Sequence, residues 1–234
     1  MLITDDPHRL SLSEEPPVEP DLSDPWRHNV WLYGLRLPFS FVLLGWITFA
    51  QALAPSFSLE IYLYTLLASF FGLVIGAHYI DVATSEKKFS PYFKVPGRRM
   101  LHTGAAFVVL GAMVGVYISL RWNALFLIFV GIETFAAIAY PREKPRFAHS
   151  YTAFAVTWGA IPFLASYFIQ AGTLSLVFLA TSIFVGLSTL MMHHLAIMTR
   201  ESSDWQNAMY LLTLYRYAVY SIGLLSLVGR LAVL

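Results

Sequence analysis

The sequence predicts an all-α fold, a polytopic bundle of about seven transmembrane helices without a sizeable soluble domain. Hydrophobic residues make up 57% of the 234 residues and charged residues only 12%, whereas a soluble domain carries roughly 25% charged residues. The apolar residues are also gathered into successive runs of about 20 residues, the length that a helix needs to cross hydrocarbon. These runs lack the apolar–polar alternation of membrane β-strands, so helices that satisfy their own backbone hydrogen bonds are predicted.

Seven apolar runs define the predicted helices in order. They cover residues 30–53, 59–80, 101–120, 123–140, 151–169, 173–198 and 208–228. Pro38 lies near the start of the first run, where a helix tolerates proline in its first turn. The pairs Gly72/Gly76 and Gly111/Gly115 have the four-residue spacing that lets membrane helices approach closely. We therefore expect a tightly packed bundle.

The distribution of basic residues predicts the orientation of the bundle. The connections after the second, fourth and sixth runs contain Lys87, Lys88, Lys94, Arg98, Arg99, Arg142, Lys144, Arg146 and Arg200. The alternate connections are nearly free of charge, and Arg121 stands alone in its turn. Because positively charged loops remain in the cytoplasm, we expect a cytoplasmic N-terminus and an outer C-terminus in a prokaryotic cytoplasmic membrane.

Residues 1–28 differ in composition from residues 29–234, which we assign to the bundle. The first segment is acidic, rich in proline and poor in apolar residues, which predicts a flexible cytoplasmic tail. A docking arm for a partner is the alternative. The segment lacks the basic and apolar regions of a signal peptide, so we do not expect it to be cleaved.

Ionisable side chains gather near the predicted cytoplasmic ends of the helices, where their energetic cost marks them as functional candidates. They are His78, Asp81, His102, His149, His193, His194 and Glu201. His78 and Asp81 share one helix face because they are three residues apart. His194 and Glu201, seven residues apart, share a face of the sixth helix if it continues that far. Two helix ends that each offer a histidine and a carboxylate would converge on one cation.

The metal site predicted from this pattern comprises His78, Asp81, His193, His194 and Glu201. The chain contains no cysteine, so histidine, aspartate and glutamate are its only strong metal ligands. Nitrogen and oxygen ligands suit zinc, iron or manganese better than magnesium, and histidines at one depth on several helices also suit haem. Contacts to a polar substrate or a phosphate, and ordinary structural histidines, remain as alternatives.

The basic residues form a second candidate site, for a substrate. Its members are Lys87, Lys88, Lys94, Arg98, Arg99, Lys144 and Arg146. They would clamp the phosphates of a lipid or of a diphosphate substrate, or they would only set the topology and touch anionic headgroups. Glu133 lies inside the fourth run, where a proton path, a ligand contact and a structural role all remain open.

Segments at the ends of the second and sixth runs carry a resemblance to a known family. They read A-H-Y-I-D-V-A-T-S at residues 77–85 and H-H-L-A-I-M-T-R-E at residues 193–201. A third segment reads Y-P-R-E-K-P-R from Tyr140, followed by W-G-A-I-P-F-L-A-S-Y up to Tyr167. With these features in this order, the chain resembles the UbiA superfamily of membrane prenyltransferases. Its Arg200–Glu201 pair is also similar to that of the short YwiC-like membrane proteins.

The UbiA resemblance implies a fold, a substrate class and a site. In that family, aspartate-rich motifs at the ends of the second and sixth helices face the cytoplasm and hold magnesium on a prenyl diphosphate. In this chain His78 and Asp81 stand at two aspartate positions of the first motif. His194 and Glu201 stand at two positions of the second motif.

Two functions follow from these observations. The first is a divergent UbiA-like protein with a polar or metal site on the cytoplasmic side, acting as a prenyl-diphosphate-dependent transferase. The second is a non-catalytic subunit of a membrane complex that binds haem, a pigment, a quinone or a metal. The expected partners are membrane lipids, a prenyl or quinone-like small molecule and other membrane subunits. We expect no nucleic-acid partner.

Overall fold

The computed structural model describes residues 37–84, 97–141, 150–201 and 205–233 of the chain. Within these ranges the chain is helical, without a β-strand, and forms seven helices. In chain order they are α1 (Leu37–Ala52), α2 (Leu59–Ser69, Phe70–Ala77 and His78–Thr84), α3 (Gly97–Arg121), α4 (Ala124–Phe126 and Leu127–Ala139), α5 (Tyr151–Ala155, Val156–Ala160 and Ile161–Ala171), α6 (Leu176–Glu201) and α7 (Trp205–Leu231). The predicted tail, residues 1–28, lies outside the described residues.

The helices confirm an integral membrane protein. Five of them, α2, α3, α5, α6 and α7, are long and apolar enough to cross a membrane. The apolar parts of α1 and α4 are shorter, Phe39–Ala52 and Ala124–Ala139. Large apolar side chains such as Leu120, Leu176 and Leu225 are exposed on the outside of the bundle. Exposure of this kind is expected where hydrocarbon, and not water, surrounds the helices.

Local sequence explains where several helices begin and end. Ser58, Asn123 and Ser150 cap α2, α4 and α5, because each side chain accepts a hydrogen bond from a backbone N–H in the first turn. Gly172 ends α5 in the left-handed conformation, with φ of 72°, and its N–H donates to the Phe168 carbonyl at 2.7 Å. Ser58, Asn123 and Gly172 lie in the short turns that join α1 to α2, α3 to α4 and α5 to α6.

Two helices contain a π-helical segment, Phe70–Ala77 in α2 and Val156–Ala160 in α5. Such wider turns are rare and occur frequently at functional sites. The first segment ends directly before His78, and the second contains Trp158. His78, a residue of the predicted metal site, therefore lies next to one π-helical segment, and Trp158 lies within the other.

Close helix contacts at glycines hold the bundle together. A Cβ atom added at Gly111 of α3 would lie 2.6 Å from the backbone N of Gly72 in α2. A Cβ atom at Gly223 of α7 would lie 2.8 Å from the backbone O of Gly45 in α1. α5 lies between these two helix pairs, and its residues 162–170 are all buried. The expected glycine contacts therefore occur, and α5 is the central helix.

The helices alternate in direction and give the bundle two distinct ends. At one end, Thr84 Oγ1 at the end of α2 donates to the Pro141 carbonyl after α4 at 2.8 Å. At the other end, the Ser58 N–H before α2 donates to Gln170 Oε1 near the end of α5 at 2.8 Å. We call these the His78 end and the Gln170 end. The ends of α2 and α6 both lie at the His78 end, as the loop pattern predicts.

Candidate functional site

His78 lies in the last helical segment of α2 and is buried, with 6% of its surface exposed. The burial follows from the close approach of α3, since a Cβ atom at Gly104 would lie 2.8 Å from the Gly76 carbonyl and 2.9 Å from Ile80 N. Asp81, three residues after His78, is half-buried in the same segment. The spacing that placed these two side chains on one helix face is therefore kept in the structure.

An aromatic cluster lies beside His193, one of the histidines of the predicted metal site. It consists of Phe39, Tyr140, Phe154 and Trp158, which come from α1, the end of α4, and α5. The ring of His193 on α6 stacks on Phe154, with ring centroids 4.2 Å apart and planes inclined by 29°. Centroid distances within the cluster run from 5.5 to 6.4 Å, in the range of favourable aromatic contacts. Four helices thus meet at one apolar, aromatic surface that carries a histidine.

His193 and His194, which are adjacent in the predicted metal site, have different environments in the structure. Consecutive residues are about 100° apart around a helix, so they cannot both face the bundle. His193 is half-buried against Phe154, whereas His194 is exposed. Only His193 therefore belongs to the aromatic cluster.

Exposed basic side chains lie at the same end of the bundle. Arg98, Arg99 and His102 occupy the first turns of α3 and are exposed. They precede Gly104, where α3 contacts the end of α2 beside Ile80. The predicted residues Lys87, Lys88, Lys94, Lys144, Arg146 and His149, and the side chain of Glu201, lie outside the described residues.

The described side chains do not reproduce the magnesium site that the UbiA resemblance implies. Magnesium is held by oxygen ligands, and Asp81 supplies the one carboxylate described at the His78 end. No group of three or more histidine, aspartate or glutamate residues that could hold a metal occurs in the described part of the chain. The donors described here therefore do not fit a magnesium–diphosphate centre.

Glu133 lies apart from this end, inside the bundle. It is on the inward face of α4 with Val130 and Ala137, and it lines a cavity of about 40 Å³ between α2, α3, α4 and α5. Ile132 and Phe135, its neighbours along α4, are exposed. The structure thus places this carboxylate at a mostly apolar cavity wall that also includes the hydroxyl groups of Thr65, Ser69 and Ser166.

The structure also identifies polar residues that the sequence analysis did not select. Arg216 is half-buried in the middle of α7, and the adjacent Tyr215 hydroxyl accepts a hydrogen bond of 2.9 Å from Ser188 Oγ on α6. Gln170 Nε2 donates to Gln51 Oε1 at 2.7 Å and to the Ser58 carbonyl at 2.9 Å. Arg216 could have been found from the sequence, because it is a charged residue within an apolar run. No sequence pattern indicates that Gln51 and Gln170 form a hydrogen bond.

Comparison with known proteins gives no relative for this chain. No protein-family model, no curated protein and no solved structure matches it.

Proposed function

We propose that this chain is a divergent UbiA-like membrane protein that binds an isoprenoid lipid, a prenyl diphosphate or a quinone-like molecule, at its His78 end. The observation that carries the proposal is the meeting of the α2 and α6 ends beside one aromatic cluster. The contacts run from Thr84 and Pro141 through Tyr140 to Phe154 and His193.

The chemistry of this end suits a molecule with an apolar chain and an anionic head. Aromatic rings from three helices offer flat apolar contact for unsaturated hydrocarbon. Arg98 and Arg99 are exposed on the neighbouring helix, and guanidinium groups bind phosphates through paired hydrogen bonds. His193 stacks on Phe154 at the edge of the aromatic cluster and would contact the polar head.

We assign binding to this site and derive no metal-dependent step, because the described side chains do not fit a magnesium centre. Prenyl transfer is the activity that the family resemblance implies, and zinc, iron or manganese are the metals that suit nitrogen and oxygen ligands such as those of the predicted site. Metal analysis of the purified protein and an assay for consumption of prenyl diphosphate test these two extensions separately.

Binding of farnesyl diphosphate to the full chain in lipid nanodiscs tests the proposal. The double variant Arg98→Ala/Arg99→Ala should bind at least about tenfold more weakly, since each charge-assisted contact contributes roughly 1.5–3 kcal/mol. Arg121→Ala is the matched control, because Arg121 is an exposed arginine at the opposite end of the same helix. His193→Ala should weaken binding and His194→Ala should not.

Two results of this binding experiment would overturn the proposal. Binding that is absent, or that is lost equally in the Arg121 and Arg98/Arg99 variants, excludes a specific site at the His78 end. Farnesol, which has the chain without the diphosphate, and a short-chain quinone distinguish recognition of the anionic head from recognition of the chain alone.

A cofactor-binding subunit is the second candidate, and two histidines at the same end of different helices favour it. His78 is buried and His193 is held by stacking on Phe154, which would fix the orientation of both rings. A Soret absorption band in the gently purified protein that disappears in His78→Ala or His193→Ala would support haem ligation. A colourless protein without bound metal excludes this candidate.

The orientation of the His78 end toward the cytoplasm is part of the proposal. Because the chain has no cysteine, single-cysteine variants at positions 98 and 121 can be labelled separately with an impermeant thiol reagent. Arg98→Cys should react from the cytoplasmic side and Arg121→Cys from the outer side. The reverse pattern would place the site on the outer face.

A further inference from the structure

A cavity that is lined by one carboxylate and four hydroxyl side chains among apolar residues lies within the membrane-spanning part of the bundle, away from the aromatic cluster. Residues of α2, α3, α4 and α5 line it, and it has a volume of about 40 Å³. One water needs roughly 10–15 Å³ by the same measure. The cavity therefore accommodates a small ion with at most a few waters.

Glu133 is the one carboxylate that lines this cavity, and no basic side chain lines it within the described part of the chain. The described residues give the Glu133 carboxyl neither a hydrogen bond nor an ion pair. An ionised carboxylate without a counter-charge is very costly in a membrane interior. Glu133 must therefore carry a proton or be neutralised by a bound cation.

The remaining cavity wall supplies oxygen atoms and closely packed backbone. Thr65, Ser69 and Ser166 line it, and each is buried, with Ser166 only 1% exposed. Thr65 Oγ1 donates its hydrogen to the Ile61 carbonyl at 2.7 Å, which leaves its lone pairs to accept a proton or contact a cation. Carboxylate and hydroxyl oxygens are hard ligands that bind alkali cations, and a carboxylate also binds a proton.

We propose that Glu133, with Ser69, Ser166 and Thr65, forms an exchangeable binding site for a small monovalent cation, either a proton or a sodium ion. The surrounding helix contacts define its size, because Gly72 and Gly111 meet at the cavity wall. The site is separate from the lipid site proposed above and stands on different residues. It implies that binding of this cation changes the charge of the bundle interior.

Labelling with dicyclohexylcarbodiimide tests the site in the full chain reconstituted into vesicles. This apolar reagent enters membranes and reacts with the protonated form of a carboxyl group, and the modified peptide is then identified by mass spectrometry. We expect modification at Glu133, with a rate that falls about tenfold per pH unit once the carboxyl ionises. Glu133→Gln should lose this modification, whereas Glu60→Gln, which changes an exposed glutamate of α2, should keep it.

Two labelling conditions distinguish a sodium ion from a proton as the ligand. If the site binds sodium, sodium chloride at about ten times its Kd should slow labelling by about tenfold, and choline chloride at equal ionic strength should not. If the site binds a proton only, labelling should depend on pH and not on sodium. The infrared band of the Glu133 carboxyl should titrate in parallel, which gives a readout independent of reagent access. Failure of both labelling and the infrared band to respond to pH or sodium would overturn the proposal.

Discussion

The two ends of the bundle are built from different kinds of contact. At the Gln170 end, one glutamine side chain bonds both the N–H and the carbonyl of Ser58 and also Gln51, and the Gln170 carbonyl accepts from Ser56 Oγ at 2.6 Å. Arg230 Nη2 adds a bond of 2.8 Å to the Pro55 carbonyl. At the His78 end, aromatic rings from several helices meet, and Thr84 Oγ1 donates a hydrogen bond that joins α2 to the chain after α4.

The two ends differ in what their polar and aromatic side chains contact. Buried polar groups that are fully hydrogen-bonded fix neighbouring helices in one arrangement. At the Gln170 end, the Gln170 side chain is bonded in this way to Gln51 Oε1 and to both backbone groups of Ser58, whereas the buried Gln51 Nε2 has no hydrogen-bond partner among the described residues. The His78 end combines an aromatic surface, the stacked ring of His193 and exposed arginines. We therefore interpret the first end as structural and the second as the end available for binding.

Replacing the central glutamine should give the largest effect on stability. Gln170→Leu removes the partner of Gln51 Oε1 and of the Ser58 N–H, while the Ser58 carbonyl keeps the Tyr62 N–H, and we expect it to lower the free energy of unfolding by about 3 kcal/mol. Gln206→Leu is the control, because Gln206 is exposed in the first turn of α7. Equilibrium unfolding in mixed micelles measures both variants. Equal stability of the two variants would contradict the structural role of the Gln170 end.

Disrupting the close contact between α2 and α3 at Gly111 should lower the stability of the protein less than Gln170→Leu does. Gly111→Ala would place a methyl group 2.6 Å from Gly72 N and 2.8 Å from the Ala68 carbonyl. Because neither backbone atom can move cheaply, we expect a loss of about 2 kcal/mol. The matched control is Gly131→Ala on α4, where nothing lies within 4 Å of the added atom. That control should be neutral or slightly stabilising, and thermal unfolding distinguishes the two outcomes.

The smallest effect is expected at the His78 end. Thr84→Val removes the hydroxyl whose one hydrogen is shared between the Ile80 carbonyl of its own helix, at 2.7 Å, and the Pro141 carbonyl, at 2.8 Å. Interhelical hydrogen bonds in membranes contribute about 0.6 kcal/mol. Thr181→Val removes only a bond within one helix, to the Val177 carbonyl at 2.8 Å. A loss for Thr84→Val as large as that for Gln170→Leu would show that both ends are held by hydrogen bonds, and the contrast between them would fail.

Much of the architecture could be read from hydropathy. Each of the seven predicted runs corresponds to one helix in the described residues, and most boundaries differ by a few positions. α3 begins at Gly97, earlier than the predicted residue 101, because arginines at a helix end can extend to the polar interface while the helix continues. The placement of the α2 and α6 ends together also followed from the loop charges.

The candidate site was predictable only in part. The spacing of His78 and Asp81 fixed their shared face, since that depends on one helix alone. The difference between His193 and His194 depends on which face of α6 meets Phe154, and nothing within α6 specifies that. The aromatic cluster combines residues from three helices, so no single segment reveals it. Arg216 and Glu133 were visible as charges in apolar runs, but their surroundings were not.

The sequence by itself determined that the chain enters a membrane, where its helices lie and which helix ends share a side. These properties follow from the transfer of each segment into hydrocarbon and from the charge of short loops, which are both local quantities. Only the tertiary structure decided that Gln170 joins Gln51, that Glu133 faces a cavity and that His193 stacks on Phe154. These contacts depend on the rotation of each helix about its axis, which is set by packing against its neighbours.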